Sequence, residues 1–349
     1  METGVETLLD ASRLRTYLAA HLSAPSTEAF AVRKHTAGYS NETFFVRWGE
    51  REYVLRRPPR GDLLPTSHDV GREYAALRGL WGTAARVPRP VLYCADPDVI
   101  GAPFYVMERV PGVVLREAPL PAALDTAAER RRVGEELVDA LVELHSVPWQ
   151  GTALAQLGRA EGYLARQLRR WQGQIALTLP RTRALPAFAT VGAWLEAHLP
   201  SQRETTVVHG DYKLDNVLFA ETAPARLVAI LDWEMATLGD PLADVGWLVQ
   251  AWGPSGDAAV DARAVTCQAG MLSREELVAR YAARSGRTME GLAYYVVLAV
   301  WKLAAICEGL YALYLEGRAA NPRASEMEAT VPRLLERALR LIDEGDAAI

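Results

Sequence analysis

The sequence predicts an α+β chain in two parts, a small β-rich N-terminal lobe over residues 1–110 and a larger, mainly helical lobe over residues 111–349. Three observations carry this expectation. Apolar, β-branched and aromatic residues alternate with polar ones through much of 30–57 and again in 88–110, the period of half-buried strands. After Val110-Pro111-Gly112 the apolar spacing changes to three and four, the period of a helix, and the Pro-Gly pair marks the boundary. At 349 residues the chain exceeds what one small core needs.

The elements follow in order. A short helix is expected ahead of the first strand. FAVRKHTAGYSNETFFVRWGEREYVLRRP reads as strands broken at Gly38 and at Gly49-Glu50. SHDVGREYAALRGLW, from Ser67 to Trp81, carries a cap residue and then apolar positions at helical spacing. VPRPVLYCADPDVIGAPFYVMERV returns to strand, with Pro88, Pro90, Pro97 and Pro103 confining its pairing to ends and edges. Helical patterns then run over Ala122–His145, Ala160–Ala176, Pro186–His198, Arg274–Arg284, Met289–Gly317 and Ala324–Glu344, and only Thr205–Asp232 interrupts them with strand-like runs.

Half of the residues are hydrophobic and 23% charged, a globular composition. The net charge of −5, with both signs interspersed, gives no basic footprint for nucleic acid. Small molecules or proteins are the expected partners, and nucleic acid is not. Cys94, Cys267 and Cys307 have neither zinc nor redox-pair spacing and are expected to be free thiols of a cytoplasmic protein. The N-terminus shows no secretory pattern. Leu292 to Leu315 is long enough to span a bilayer, but Lys302 and Glu308 lie well inside it, each costing roughly 2.5–3.5 kcal/mol on insertion. A buried core helix without membrane insertion is expected.

The chemistry concentrates in VVHGDYKLDNVLF. Asp211 and Asn216 are five apart, the spacing of the phosphoryl-transfer loop in which an aspartate accepts the proton of the attacking hydroxyl and an asparagine binds a metal. Sixteen residues beyond Asn216, LVAILDWEM ends an apolar strand at Asp232, the place of an aspartate that chelates magnesium. Either motif alone is weak. Together they predict an oxygen-rich cluster of Asp211, Asn216 and Asp232 suited to Mg²⁺.

HGDYKLDN followed by ILDWEMATLGDPLADVGW resembles the aminoglycoside phosphotransferase family, relatives of choline kinases and distant relatives of protein kinases. The likeness is closest to kinase-like domains associated with acyl-CoA dehydrogenases, which also show runs such as YVLRRPPRGDLLPTSHDVGREY. It covers roughly Arg33 to Leu248 and implies a bilobal protein-kinase-like fold with ATP in the interlobe cleft. By this resemblance Asp211 is the catalytic base, Asn216 and Asp232 are the magnesium ligands, and Gly38, Ser40 and Asn41 lie in the phosphate-covering hairpin. Arg56 stands where kinases have a phosphate-binding lysine, with Glu73 as its partner on the following helix. Lys213 neutralises the transferred phosphoryl group, and Met107, Glu108, Arg109 and Val110 form the hinge that meets adenine through its backbone.

Plainer roles are expected for several neighbours. His209 reads as a packed residue that fixes the loop, and Asp240 as a helix cap before Pro241. The resemblance implies that Asp244 braces the loop from below. The tryptophans and tyrosines at helical spacing read as core. The sequence therefore predicts an ATP- and Mg²⁺-dependent kinase acting on a small-molecule hydroxyl, with an apolar acceptor such as a hydroxyacyl-CoA placed ahead of an aminoglycoside. A nucleotide-binding scaffold without strong catalysis remains a reading of another class. A protein kinase fits less well, because GDPLADVGW begins a helix soon after Asp232.

Overall fold

The computed structural model describes residues 9–22, 28–35, 41–59, 69–253, 265–319 and 321–345. Contacts divide the chain into two units, Met1–Pro111 with Ala229–Glu234, and Gly112–Val228 with Met235–Ile349. The six residues Ala229–Glu234 belong to the first unit, although the sequence reading places them within the lobe of residues 111–349.

The first unit opens with α1 (Ala11–His21), whose N-terminus is capped by Asp10 accepting from the Arg13 amide. Strands β1 (Phe30–Lys34), β2 (Glu42–Trp48) and β3 (Arg51–Arg57) form an antiparallel meander. Helix α2 (Val70–Leu80) precedes β4 (Pro90–Cys94) and β5 (Phe104–Glu108), and the sheet order is β1-β2-β3-β5-β4. Alternation sends Phe44, Val46, Trp48 and Leu55 into a core with Leu14, Leu18, Phe104 and Val106. Pro90 sits at the start of an outer strand beside a register shift, where a missing amide is tolerated.

Helix α2 is capped by Asp69, whose side chain accepts from the Arg72 amide. Its buried positions Val70, Glu73, Ala76, Leu77 and Leu80 follow one helical stripe. A carboxylate at Glu73 is therefore held on the apolar face, and it needs a partner there.

The second unit contains α3 (Ala127–His145), α4 (Tyr163–Thr178), α5 (Ala187–Ala197) and the short strands β6 (Thr206–Val208), β7 (Val217–Phe219), β8 (Leu227–Ile230) and β9 (Thr237–Gly239). Helices α6 (Leu242–Ala251), α7 (Arg274–Ser285), α8 (Leu292–Leu315) and α9 (Met327–Glu344) complete it. Strand β6 pairs with β9 and β7 with β8, and the chain passes from the second unit to the first within β8. Helix α8 is the one described helix long and apolar enough to cross a membrane, but 72% of its most apolar window is buried inside the protein. It packs against α4, α5, α6 and α9 as their common core.

Candidate active site

In the second unit β6 delivers the polar loop. His209 and Gly210 donate their amides to the two oxygens of buried Asp244, at 2.6 and 2.8 Å. Asp244 lies in the first turn of α6 and also meets His145 Nε2 at 3.2 Å, while His145 Nδ1 contacts the Tyr281 hydroxyl at 2.7 Å. Burial alone would raise the Asp244 carboxyl, but the His145 contact and nearby His209 hold it below the usual range. Gly210 has φ +82°, and a Cβ there would stand 2.8 Å from the Met235 carbonyl oxygen, so the turn requires glycine.

The next residue is Asp211. Its amide donates to His209 Nδ1 at 3.2 Å, its Oδ1 accepts from Lys213 Nζ at 3.0 Å, and its Oδ2 accepts from Asn216 Nδ2 at 2.7 Å. The same Asn216 nitrogen reaches the Asp211 carbonyl at 2.9 Å, which leaves the side-chain oxygen of Asn216 as its remaining polar atom. Burial pushes the Asp211 carboxyl up, but Lys213, Lys302 and His209 outweigh it, so the group sits below the ordinary carboxylate range. Lys302 comes from the middle of α8 and donates to the Gly210 carbonyl at 2.6 Å.

In the first unit the centre is Arg56, on β3 and buried. Its Nη1 meets Glu73 Oε2 at 3.0 Å, and Nη1 and Nη2 meet Asp232 Oδ1 at 3.1 and 3.2 Å. Glu73 also accepts from the Tyr105 hydroxyl at 2.6 Å and from Asn41 Nδ2 at 2.5 Å. Burial dominates at Glu73 and pushes its carboxyl to about 7 despite Arg56, with Asp232 adding to the rise. Asp232 has φ +64°, the only described non-glycine residue with positive φ, a strained geometry of the kind that clusters at functional sites. One carboxylate oxygen each from Glu73, Asp232 and Glu234 lies within 4.8 Å of the others.

The residues singled out from sequence thus fall into two groups, Asp211, Lys213 and Asn216 on one unit and Asn41, Arg56, Glu73 and Asp232 on the other. Gly38 and Ser40 lie outside the described residues. Asn41, the described residue of the expected phosphate-covering hairpin, is buried and donates its amide to Glu73. In the hinge segment, Met107 pairs with Val54 and Glu108 with Tyr53. The Glu108 and Arg109 amides donate to the Arg89 and Glu52 carbonyls, at 2.9 and 3.1 Å. Those two amides are spent inside the unit, so any base recognition narrows to Val110 and the remaining groups of the segment.

Sequence reasoning assigned no role to Lys302, Glu234, Tyr105, His145 or Tyr281. Glu234, two residues after Asp232, had a local signal. The other four are joined to the site only by long-range packing.

A model of the phosphotransferase enzyme family matches residues 31–295. The chain belongs to that family. Among curated proteins it is 36% identical over 320 residues to acyl-CoA dehydrogenase family member 11 of Gallus gallus, covering 90% of this chain and 40% of the relative. The chain thus spans about two-fifths of the length of that protein. A candidate aminoglycoside phosphotransferase from Ralstonia eutropha superposes with a TM-score of 0.78 at 28% identity, covering 95% of this chain and 99% of the other. A choline kinase from Cryptosporidium parvum gives 0.66 at 11% identity, over 96% and 97%, and so supports the fold alone. The family match reaches beyond the Leu248 limit of the motifs into α8. The α+β architecture is that of kinase-like phosphotransferases.

Proposed function

We propose that the chain is an ATP- and magnesium-dependent phosphotransferase that moves the γ-phosphoryl group to a hydroxyl of a small, apolar acceptor in the cytoplasm. The observation that carries this reading is the Asp211 carboxylate. Despite burial, its carboxyl is held below the ordinary range by Lys213, Lys302 and His209, oriented by Lys213 and Asn216, and mounted on a loop whose amides are clamped by Asp244.

The donor atoms fit a hard cation. Glu73, Asp232 and Glu234 bring one carboxylate oxygen each within 4.8 Å of the others, with Arg56 bound to two of the three, and Asn216 keeps its side-chain oxygen uncommitted to Asp211. Asp232 and Asn216 are the residues proposed to hold magnesium, which when bound neutralises charge on the nucleotide phosphates. Asp211 accepts the hydrogen bond of the acceptor hydroxyl and takes its proton as the bond to phosphorus forms. A low pKa suits this role, since a loose transition state demands orientation more than early deprotonation. Lys213 and Arg56 supply positive charge for the phosphoryl oxygens.

The apolar, aromatic character of α8 and the likeness to proteins named acyl-CoA dehydrogenases support a hydroxyacyl-CoA acceptor. The likeness to the Ralstonia structure supports an aminoglycoside as the competing acceptor.

A panel of hydroxyacyl-CoAs, aminoglycosides, choline-like amines and sugars, read by ADP release and phosphate transfer, tests the reading. Stimulation by a hydroxyacyl-CoA is expected, with Asp211→Asn lowering turnover by roughly 10²–10⁴ while nucleotide binding persists. An Asp211→Asn protein as active as the wild type removes the proposed base. Nucleotide binding without acceptor-stimulated turnover across the panel makes the chain a scaffold.

A further inference from the structure

Lys302 is a charged residue in the middle of the long apolar helix α8, and no part of the reaction described above uses it. Its ammonium is buried, donates to the Gly210 carbonyl at 2.6 Å, and lies 4.1 Å from the ring centroid of Trp247 and 5.7 Å from that of Trp171. It lines a cavity of about 30 Å³ with Tyr163, Trp171, Trp247 and Tyr295, room for little more than a water molecule.

The hydrogen bonds around Asp211 give this placement a meaning. One peptide group joins Gly210 to Asp211. Its N–H is held by His209 Nδ1 and its C=O by Lys302 Nζ. The two preceding amides, of His209 and Gly210, are held by Asp244. Asp244 therefore fixes the approach to the turn, and Lys302 fixes the peptide plane that sets the direction of the Asp211 side chain. Gly210, at φ +82°, has no Cβ to restrict it, so this peptide is the one in the loop with most freedom to rotate. A neutral side chain of similar size would fill the space without the desolvation cost of an ammonium, so packing alone does not account for a lysine here.

We propose that Lys302 is a positioning residue of the phosphotransfer site, its ammonium pinning the Gly210 carbonyl so that Asp211 faces the acceptor. The indole of Trp247 offsets part of the cost of burying the charge and holds the ammonium on the carbonyl side of the cavity. This inference rests on the reading of Asp211 as the base that meets the acceptor hydroxyl.

Hydrogen exchange over the segment 208–213, together with turnover, tests it in Lys302→Met and Lys302→Ala. Exchange needs no acceptor, so it decides the inference even if no member of the panel is phosphorylated, a result that would count against the proposed function alone. Both variants are expected to exchange the 208–213 amides about tenfold faster. With an accepted substrate, kcat falls about 100-fold while KM for nucleotide stays within about twofold, as expected for a misdirected side chain. Ethylammonium added to Lys302→Ala restores protection and part of kcat, whereas tetramethylammonium, which has no N–H, restores neither. Wild-type protection in a folded Lys302→Met protein overturns the proposal. So does equal rescue by the two cations, because the space then needs only a filler.

Discussion

At Arg56 one guanidinium serves two carboxylates, Glu73 at 3.0 Å and Asp232 at 3.1 Å, with side-chain exposures of 9% for Arg56 and none for Glu73. An exposed pair would contribute little to stability, but this one is sealed beneath Tyr105 and Asn41. Its Nε has no hydrogen-bond partner among the described residues, so the two terminal nitrogens carry the whole interaction. A lysine keeps the charge but has one nitrogen and no planar fork, and it cannot reproduce the contacts to both carboxylates. We expect Arg56→Met to lower unfolding free energy by about 3–5 kcal/mol at neutral pH, because Glu73 loses its cation, and Arg56→Lys to cost less than half of that. Denaturant titration measures both. Equal losses would mean that charge without the planar fork does not hold the cluster.

At the level of the element, α8 shows how an apolar helix keeps its charges. Glu308 is buried and pairs with Arg183 at 3.0 Å, and Lys302 pairs with the Gly210 carbonyl. Burial lowers Lys302 from its ordinary 10.5 to about 8, with Arg170 and Lys213 acting in the same direction and Asp211 and Asp244 opposing. The unfolded lysine keeps its proton up to about 10.5 while the folded one releases it near 8, so between these values the unfolded state binds more protons and stability rises with pH. The stability difference between wild type and Lys302→Met should therefore move in favour of the wild type from pH 8 to 10.5, by at most about 1.4 kcal/mol per pH unit. A difference independent of pH would show that Lys302 is not buried as an ammonium.

The ends of α8 were legible to within three residues, expected at Met289–Gly317 and observed at Leu292–Leu315, since Gly291 starts it in a left-handed conformation. Its membrane-like composition misleads only while its neighbours are unknown. The partners of Lys302 and Glu308 lie 92 and 125 residues away in the chain, beyond any local pattern.

For the whole molecule, the division into a β-rich and a helical unit was legible because the period of burial changes at Pro111-Gly112. The return of Ala229–Glu234 to the first unit was not. It depends on contacts such as Arg56 with Asp232, 176 residues apart, and on the Ile230 amide donating to the Arg86 carbonyl at 2.7 Å. The same contrast runs through the site. Asp211, Asn216 and Asp232 announce themselves by short spacing, whereas Asn41 shows its inward turn toward Glu73 only once the sheet is folded. A local motif fixes which groups are present, and long-range packing fixes which of them are already engaged.

The central claim is that Asp232, held in a left-handed turn beside a buried arginine, serves a magnesium-bound nucleotide while Asp211 serves the acceptor. Calorimetric titration of ATP, with and without magnesium, into wild type, Asp211→Asn and Asp232→Asn tests it most directly. Wild type and Asp211→Asn should bind alike and more tightly with magnesium, and Asp232→Asn should lose that dependence; an Asp232→Asn protein that binds MgATP as the wild type does would contradict the account.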